Sequence, residues 1–224
     1  MVDRNEYTAV APVRPIAPYV GGKRALAATI IARIEAIPHE IYAEPFVGMG
    51  GVFLRRRLRP KAEVINDASS DVATLFRVLQ RHYQAFMDML KWQLTSRAEF
   101  ERLAATPADT LTDLERAARF LYLQKTAFGG KVAGRNFGVS YGPGRFNVTK
   151  LAPLLEEVHE RMAGVVIERL PWETFLTRYD RPGVLFYLDP PYYGSHDFYG
   201  KDQFPLEQFA ALAGVLKGLK GRFL

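Results

Sequence analysis

Apolar residues recur along this chain in helical and strand spacings that alternate. Leu26, Ile30, Ile34 and Ile37 fall on one face of a helix that Pro38 ends. Ile41-Tyr42-Ala43 follows as a short strand, whose end enters the glycine-rich run 44–51 before the pattern returns to helix through Leu54. Residues 62–67 form a second strand tipped by an acid, and Val72, Leu75, Phe76 and Leu79 mark the buried side of the helix after it. Strand and helix alternating in this order predict a parallel sheet. From about 83 to 125 the pattern is helical with no strand: Phe86, Met87, Leu90 and Leu94 line one face, and Leu114, Ala117 and Leu121 another. Residues 126–149 interleave glycine, basic and aromatic residues without a period and read as a structured loop. A helix carrying Leu151, Leu154, Leu155, Val158 and Met162 comes next, then a strand at 165–167, and Pro182-Gly183 introduces the apolar strand 184–188. The expected fold class is α/β, a doubly wound sheet carrying a helical and loop insertion.

At 224 residues the chain is long enough for one large α/β domain, or one domain with an insertion. The net charge of +6 is concentrated in arginine-rich stretches around 54–61 and 116–150, which favours an anionic partner such as nucleic acid. The absence of cysteine excludes disulfides, thiolate metal sites and cysteine nucleophiles. No signal-like apolar block follows the charged first residues, and no stretch approaches about 18 apolar residues. The expectation is a soluble cytoplasmic protein with no membrane association.

Asp189-Pro190-Pro191-Tyr192, directly after the strand 184–188, concentrates the chemistry. The carboxyl ends of strands in open α/β sheets face a crevice where ligands bind. A carboxylate, a proline carbonyl and a tyrosine face at such an end suit a planar ring with an exocyclic amine: two acceptors for its N–H groups and a stacking surface. Consecutive prolines remove competing donors and fix φ. Gly48 and Gly50, in Phe46-Val47-Gly48-Met49-Gly50, let the backbone pass close to a ligand, and the helix expected to follow would present its positive end. Asp67 lies 19 residues beyond Gly48, near the roughly 20 at which doubly wound folds place a ribose-binding acid. No phosphate-binding lysine follows the glycines, so the ligand is a nucleoside rather than a nucleotide. Glu44 and Asp67 together suit a ligand with positive charge and hydroxyls, as S-adenosylmethionine has.

The blocks Tyr19-x-Gly21-Gly22-Lys23, Glu44-Pro45-Phe46-x-Gly48-x-Gly50, Asn66-Asp67 and Asp189-Pro190-Pro191-Tyr192 resemble, in this order, the D12 class of adenine-specific DNA N6-methyltransferases, the Dam-like enzymes. The resemblance runs from about residue 15 to the end. It implies a Rossmann-like methyltransferase sheet, S-adenosylmethionine as methyl donor, double-stranded DNA as partner and no metal. It assigns cofactor contacts to Tyr19, Lys23, Glu44, Phe46, Gly48, Gly50, Asp67 and Asp189, and the catalytic corner to Asp189, Pro190, Pro191 and Tyr192. The segment between the cofactor strands and the catalytic strand is similar to the family's DNA-recognition region. Lys125, Lys131, Arg135, Asn136, Arg145 and Asn147 are its candidate DNA contacts, with Lys150 beside them. The chain divides accordingly into 1–80 (cofactor part), 81–162 (target recognition) and 163–224 (catalytic part).

By the family's pattern the sequence stops at the opening of the next strand. This predicts a truncated sheet, a catalytic strand with an exposed edge or a missing neighbour, and a monomer able to associate through that edge. Other readings are an N4-cytosine methyltransferase, methylation of RNA or of a protein amide, and a non-catalytic remnant that binds cofactor or DNA. Asp at position 189 favours adenine over the first.

Overall fold

The computed structural model describes residues 7–130, 134–138, 144–192 and 204–224. Its centre is a sheet of five parallel strands: β2 (Ile41–Glu44), β4 (Ala62–Asn66), β5 (Val166–Glu168), β6 (Val184–Phe186) and β7 (Arg222–Phe223). Across the sheet they lie in the order β5-β4-β2-β6-β7. A small antiparallel pair, β1 (Thr8–Ala9) with β3 (Leu58–Arg59), stands beside it. The chain runs outward from β2 through β4 to β5, then crosses back to build β6 and β7 on the other side. The order therefore reverses between β2 and β6, the position at which open α/β sheets leave a ligand crevice.

Period-2 alternation sends successive residues of each strand to opposite faces. Tyr42, Ile65 and Leu185 enter one apolar cluster, while Ala43, Val64, Val184 and Phe186 enter the other. The first face is covered by α1 (Ala27–Ala36), α2 (Ser70–Arg81), α5 (Asp113–Thr126) and α6 (Val148–Arg161), with α3 (Tyr83–Leu90) and α4 (Arg97–Ala105) packed outside. The second is covered by α7 (Trp172–Tyr179) and α8 (Leu206–Leu216). Both faces being dry explains why the strands read as apolar runs. The helical insertion shares its core with the sheet: α5 packs on α2, and Phe120, Leu121 and Leu123 join the cluster that holds Ile65 and Leu75. Side-chain caps set several helix starts, with Ser69 capping α2, Ser96 capping α4 and Thr112 with Glu115 forming a capping box on α5.

One charged cluster lies in the first core. Glu63, 2% exposed, accepts from Arg56 at 2.7 Å, from Arg161 at 2.6 and 2.7 Å, and from Arg59 at 3.1 Å. The Arg56 guanidinium stacks 3.7 Å from the Tyr42 ring centroid. The pairing joins β4 to α6 and the segment before β3 through charges that burial leaves no other way to neutralise.

The structure differs from expectation in particular places. The helix expected after the glycine run is a single 3-10 turn, Phe53–Arg55, which ends in extended Arg56, so the glycine run itself leads into no long helix. The chain turns at once into β3 because Arg56 is drawn inward to Glu63. Leu94 lies between α3 and α4 and is 69% exposed, not on a buried face. In α1 the buried positions are Ala27, Ile31 and Ile34, with Ile30 and Ile37 partly buried on the same core, while Leu26 is 56% exposed. The final residues do form a strand: β7 pairs with β6, and Leu188 N donates to Leu224 O at 2.9 Å. The strand before Asp189 is thus flanked by β2 and β7, not left without a neighbour. No helix among the described residues is long and apolar enough to cross a membrane.

Candidate active site

The carboxyl ends of β4, β2 and β6 deliver Asp67, Glu44 and Asp189 to one cleft of about 1370 Å³. It exceeds the roughly 300–1,000 Å³ usual for a single small ligand. Its floor is the glycine loop after β2, and its walls come from residues 14–24, from Leu170 to Glu173, from Asp189 to Tyr192 and from the start of α6. Buried Asn66 fixes this floor. Its Nδ2 donates to Pro45 O at 3.0 Å and Leu170 O at 3.1 Å, and its Oδ1 accepts from Leu170 N at 2.8 Å, so the ends of β2 and β5 are tied through one side chain.

Two glycines of the loop are required by geometry. Gly48 has φ +51°, and a Cβ there would stand 3.1 Å from the Tyr19 ring, which lies on the loop. Gly50 has φ +71°, and a Cβ there would meet Leu54 at 2.8 Å. The loop is held from below by Asp67, whose Oδ2 accepts from Gly48 N and Oδ1 from Ser69 N, both at 2.9 Å. Burial pushes the Asp67 carboxyl up to about 6, against the downward pull of those two N–H donors.

Glu44 is 2% exposed and accepts from the Tyr42 hydroxyl at 2.6 Å. Burial pushes it up to about 8: the Tyr42 bond pulls down, Asp189 pushes up, and Arg56 pulls down more weakly. Near neutrality this carboxyl holds its proton. Tyr187, which continues β6, is raised by burial and then by Asp189 and Glu44.

Asp189 forms an ion pair with Lys23 at 2.6 Å, joining residues that the sequence places at opposite ends. Lys23 Nζ also donates to Gly21 O at 3.0 Å and to the Tyr192 hydroxyl. Burial lowers the Lys23 pKa, but the bonds to Asp189 and Tyr192 outweigh it and the ammonium is retained. Burial raises Asp189, offset only in part by Lys23. Pro190 and Pro191 line the cleft, and the Tyr192 ring is half exposed at its mouth.

The expected cofactor residues therefore converge. Tyr19, Lys23, Glu44, Phe46, Gly48, Asp67 and Asp189 all line the cleft, while Gly50 lies just behind, shaping the turn. Phe46 packs edge-on against Phe204, which neighbours Trp172, and Trp172 Nε1 donates to Gln208 Oε1 at 2.6 Å. This aromatic wall has no counterpart among the sequence motifs, because Trp172 and Phe204 lie outside them and meet only through the fold. Asn66 was visible as a motif residue, but its bridging role was not.

The expected DNA contacts separate. Lys125, Arg145 and Asn147 reach the cleft, with Lys150 beside them. Asn147 also caps α6, accepting from Lys150 N at 3.1 Å. Arg135 does not line the cleft: it donates to Gln124 at 2.9 Å and lies 5.7 Å from the Phe120 ring centroid, and burial lowers it to about 10. Asn136 is exposed, and its carbonyl accepts from Phe128 N at 2.9 Å. Lys131 lies outside the described residues.

A family model described as D12 class N6 adenine-specific DNA methyltransferase matches residues 19–223. The chain is similar to the type II methyltransferase M.CviBI of Paramecium bursaria Chlorella virus NC1A, 24% identical over 218 residues, covering 95% of this chain and 82% of that protein. It is similar to M1.LlaDCHI of Lactococcus lactis subsp. cremoris, 28% identical over 195 residues, covering 80% of this chain and 66% of the relative. The type II methyltransferase M.MjaIII of Methanocaldococcus jannaschii is 27% identical over 247 residues, covering 88% of this chain and 79% of its own. A match across nearly the whole chain, with the Asp189 corner facing the glycine loop across the strand-order reversal, means that this protein belongs to the D12 class of N6 adenine-specific DNA methyltransferases.

Proposed function

We propose that the cleft binds S-adenosylmethionine against the glycine loop and receives an adenine extruded from double-stranded DNA at the Asp189 corner. The observation that carries this is the placement of Asp189, partnered by Lys23, across the β2/β6 reversal from Glu44 and Asp67.

The donor set fits the cofactor. Asp67 retains acceptor capacity for ribose hydroxyls beyond its two backbone bonds. Asp189 supplies negative charge for a cationic ligand, the protonated Glu44 carboxyl supplies a polar contact at the floor, Phe46 and Trp172 supply apolar and aromatic surface, and the cleft has room for a base beside the cofactor. Tyr19, Lys23 and the Gly48 backbone complete the cradle. The bound cofactor supplies an electrophilic methyl group on a sulfonium.

The chain's own groups do the rest. N6 of adenine is a weak nucleophile because its lone pair is delocalised into the ring. Asp189 accepts a hydrogen bond from one N6–H and the Pro190 carbonyl from the other, which favours the more tetrahedral, positively charged nitrogen as the N6–methyl bond forms and the methyl–sulfur bond breaks with its electron pair returning to sulfur. One N6 proton is then lost by way of Asp189 to solvent. The two hydrogen bonds strengthen toward the transition state and so speed the step instead of merely tightening binding. Tyr192 stacks on the extruded base, offsetting the few kcal/mol of unpairing. Lys23 holds the Asp189 carboxylate and the Tyr192 hydroxyl in register before the base arrives. Residues 81–162 serve target recognition, with Lys125, Arg145 and Asn147 on the cleft side and Lys131, Arg135 and Asn136 as further contacts.

Transfer of labelled methyl to duplex DNA, followed by nucleoside analysis, tests the reading. Wild-type protein is expected to yield N6-methyladenine, and Asp189→Ala to lose transfer while still binding the cofactor by calorimetry. Label on cytosine, or near wild-type turnover in Asp189→Ala, would overturn it.

A further inference from the structure

We infer that Arg14, Arg24, Arg55 and Lys125 form a phosphate track at the cleft mouth that grips the DNA backbone beside the extruded base. The inference rests on the proposed function and extends it to Arg14, Arg24 and Arg55, outside the recognition segment, beside Lys125 within it. All four line the cleft, and none is ion-paired with an acid among the described residues. Several other enclosed guanidiniums meet an acid, Arg56 and Arg161 on Glu63 and Arg116 on Asp71, while Arg119 is held by the carbonyls of Leu103 and Ala104.

The cations stand close enough to oppose one another. Arg55 is lowered by burial and then by the charge of Arg24, and Lys125 by burial and then by Arg14. Like charges gathered without an acid are unfavourable unless an anion joins them. Arg55 is also held in place at the cleft, because its Nη1 donates to Gly51 O at 2.6 Å.

Charge is layered across the cleft. The floor carries Asp67 and Asp189, the latter paired with Lys23, beside protonated Glu44, and the mouth carries cations with no acid partner among the described residues. A small free anion would be repelled from the depth. A DNA strand satisfies both layers, since its phosphates stay at the rim while a neutral base passes inward. Guanidiniums suit phosphate through paired N–H donors, and such contacts hold register without reading sequence.

The test is fluorescence anisotropy of a random-sequence 30-base-pair duplex from about 50 to 300 mM salt. Arg14→Gln and Arg24→Gln, both at exposed positions, are each expected to flatten the slope of log K against log salt by about 0.9, one phosphate's worth. Combined Arg24→Gln and Arg55→Gln should flatten it by about 1.8, which near 0.15 M corresponds to roughly 30-fold weaker binding. Melting temperature is expected to hold or rise as repulsion is relieved, which a purely structural role would not produce. Unchanged slopes in both exposed single variants would overturn the track, as would losses confined to one DNA sequence. The two readings separate cleanly: methylation with unchanged slopes removes the track alone, and altered slopes without methylation remove the catalytic reading.

Discussion

Glu44→Gln isolates a charge that the sheet buries beneath the glycine loop. The carboxyl is 2% exposed, its hydrogen-bond donor is the Tyr42 hydroxyl, and burial raises it from 4.5 to about 8. In the unfolded chain the same group ionises near 4.5. Between these values the folded protein holds more protons than the unfolded one. The group's contribution to stability is therefore complete below about pH 4.5, declines as pH rises, and is gone above about 8. A tenfold change in proton affinity is worth about 1.4 kcal/mol, so the whole window is worth at most about 5 kcal/mol. Gln still accepts from Tyr42 but cannot ionise. Urea unfolding of both proteins at pH 5, 6, 7 and 8 is expected to show the variant gaining on the wild type by about 3–4 kcal/mol across the series. Asp67 also titrates in the acidic part of this range, with its carboxyl near 6, but it does so in both proteins and cancels in the difference. Stability curves that stay parallel within about 1 kcal/mol would refute a protonated Glu44.

Gly48→Ala is expected to cost about 1–2 kcal/mol for the positive φ alone, with a further loss in cofactor affinity as the new methyl displaces Tyr19; calorimetric titration and thermal melting check the two parts. Glu63→Gln leaves Arg56 and Arg161 buried around a neutral partner, and denaturant unfolding should show a loss of about 3–5 kcal/mol. Asn66→Ala strands Pro45 O, Leu170 O and Leu170 N; it should lower the melting temperature and raise the cofactor Kd together, whereas an unchanged Kd would detach the Asn66 bridge from the site.

Much of this protein could be read from residue order because the relevant forces are local. Apolar runs at strand length and helical stripes such as Val72, Leu75, Phe76 and Leu79 act within a few residues. The same holds for the chemistry of the Asp189 corner and the glycine loop, whose residue types and placement after strands constrain the ligand on their own.

Other features depend on partners remote in the chain, and periodicity carries no trace of them. The segment after the glycine run is a 3-10 turn whose next residue, Arg56, reaches Glu63, and Arg135 is held by Gln124 and Phe120 of α5. Lys23 meets Tyr192 across 169 residues, Asn66 meets Leu170 across 104, and the cations of the cleft mouth assemble from the N-terminal segment, the glycine loop and α5. The sequence by itself determined which elements form and what chemistry their ends carry. Only the folded sheet, by reversing its strand order between β2 and β6, decided which of those ends face one another, because long-range packing and the pairing of buried charge select a single arrangement among many locally acceptable ones.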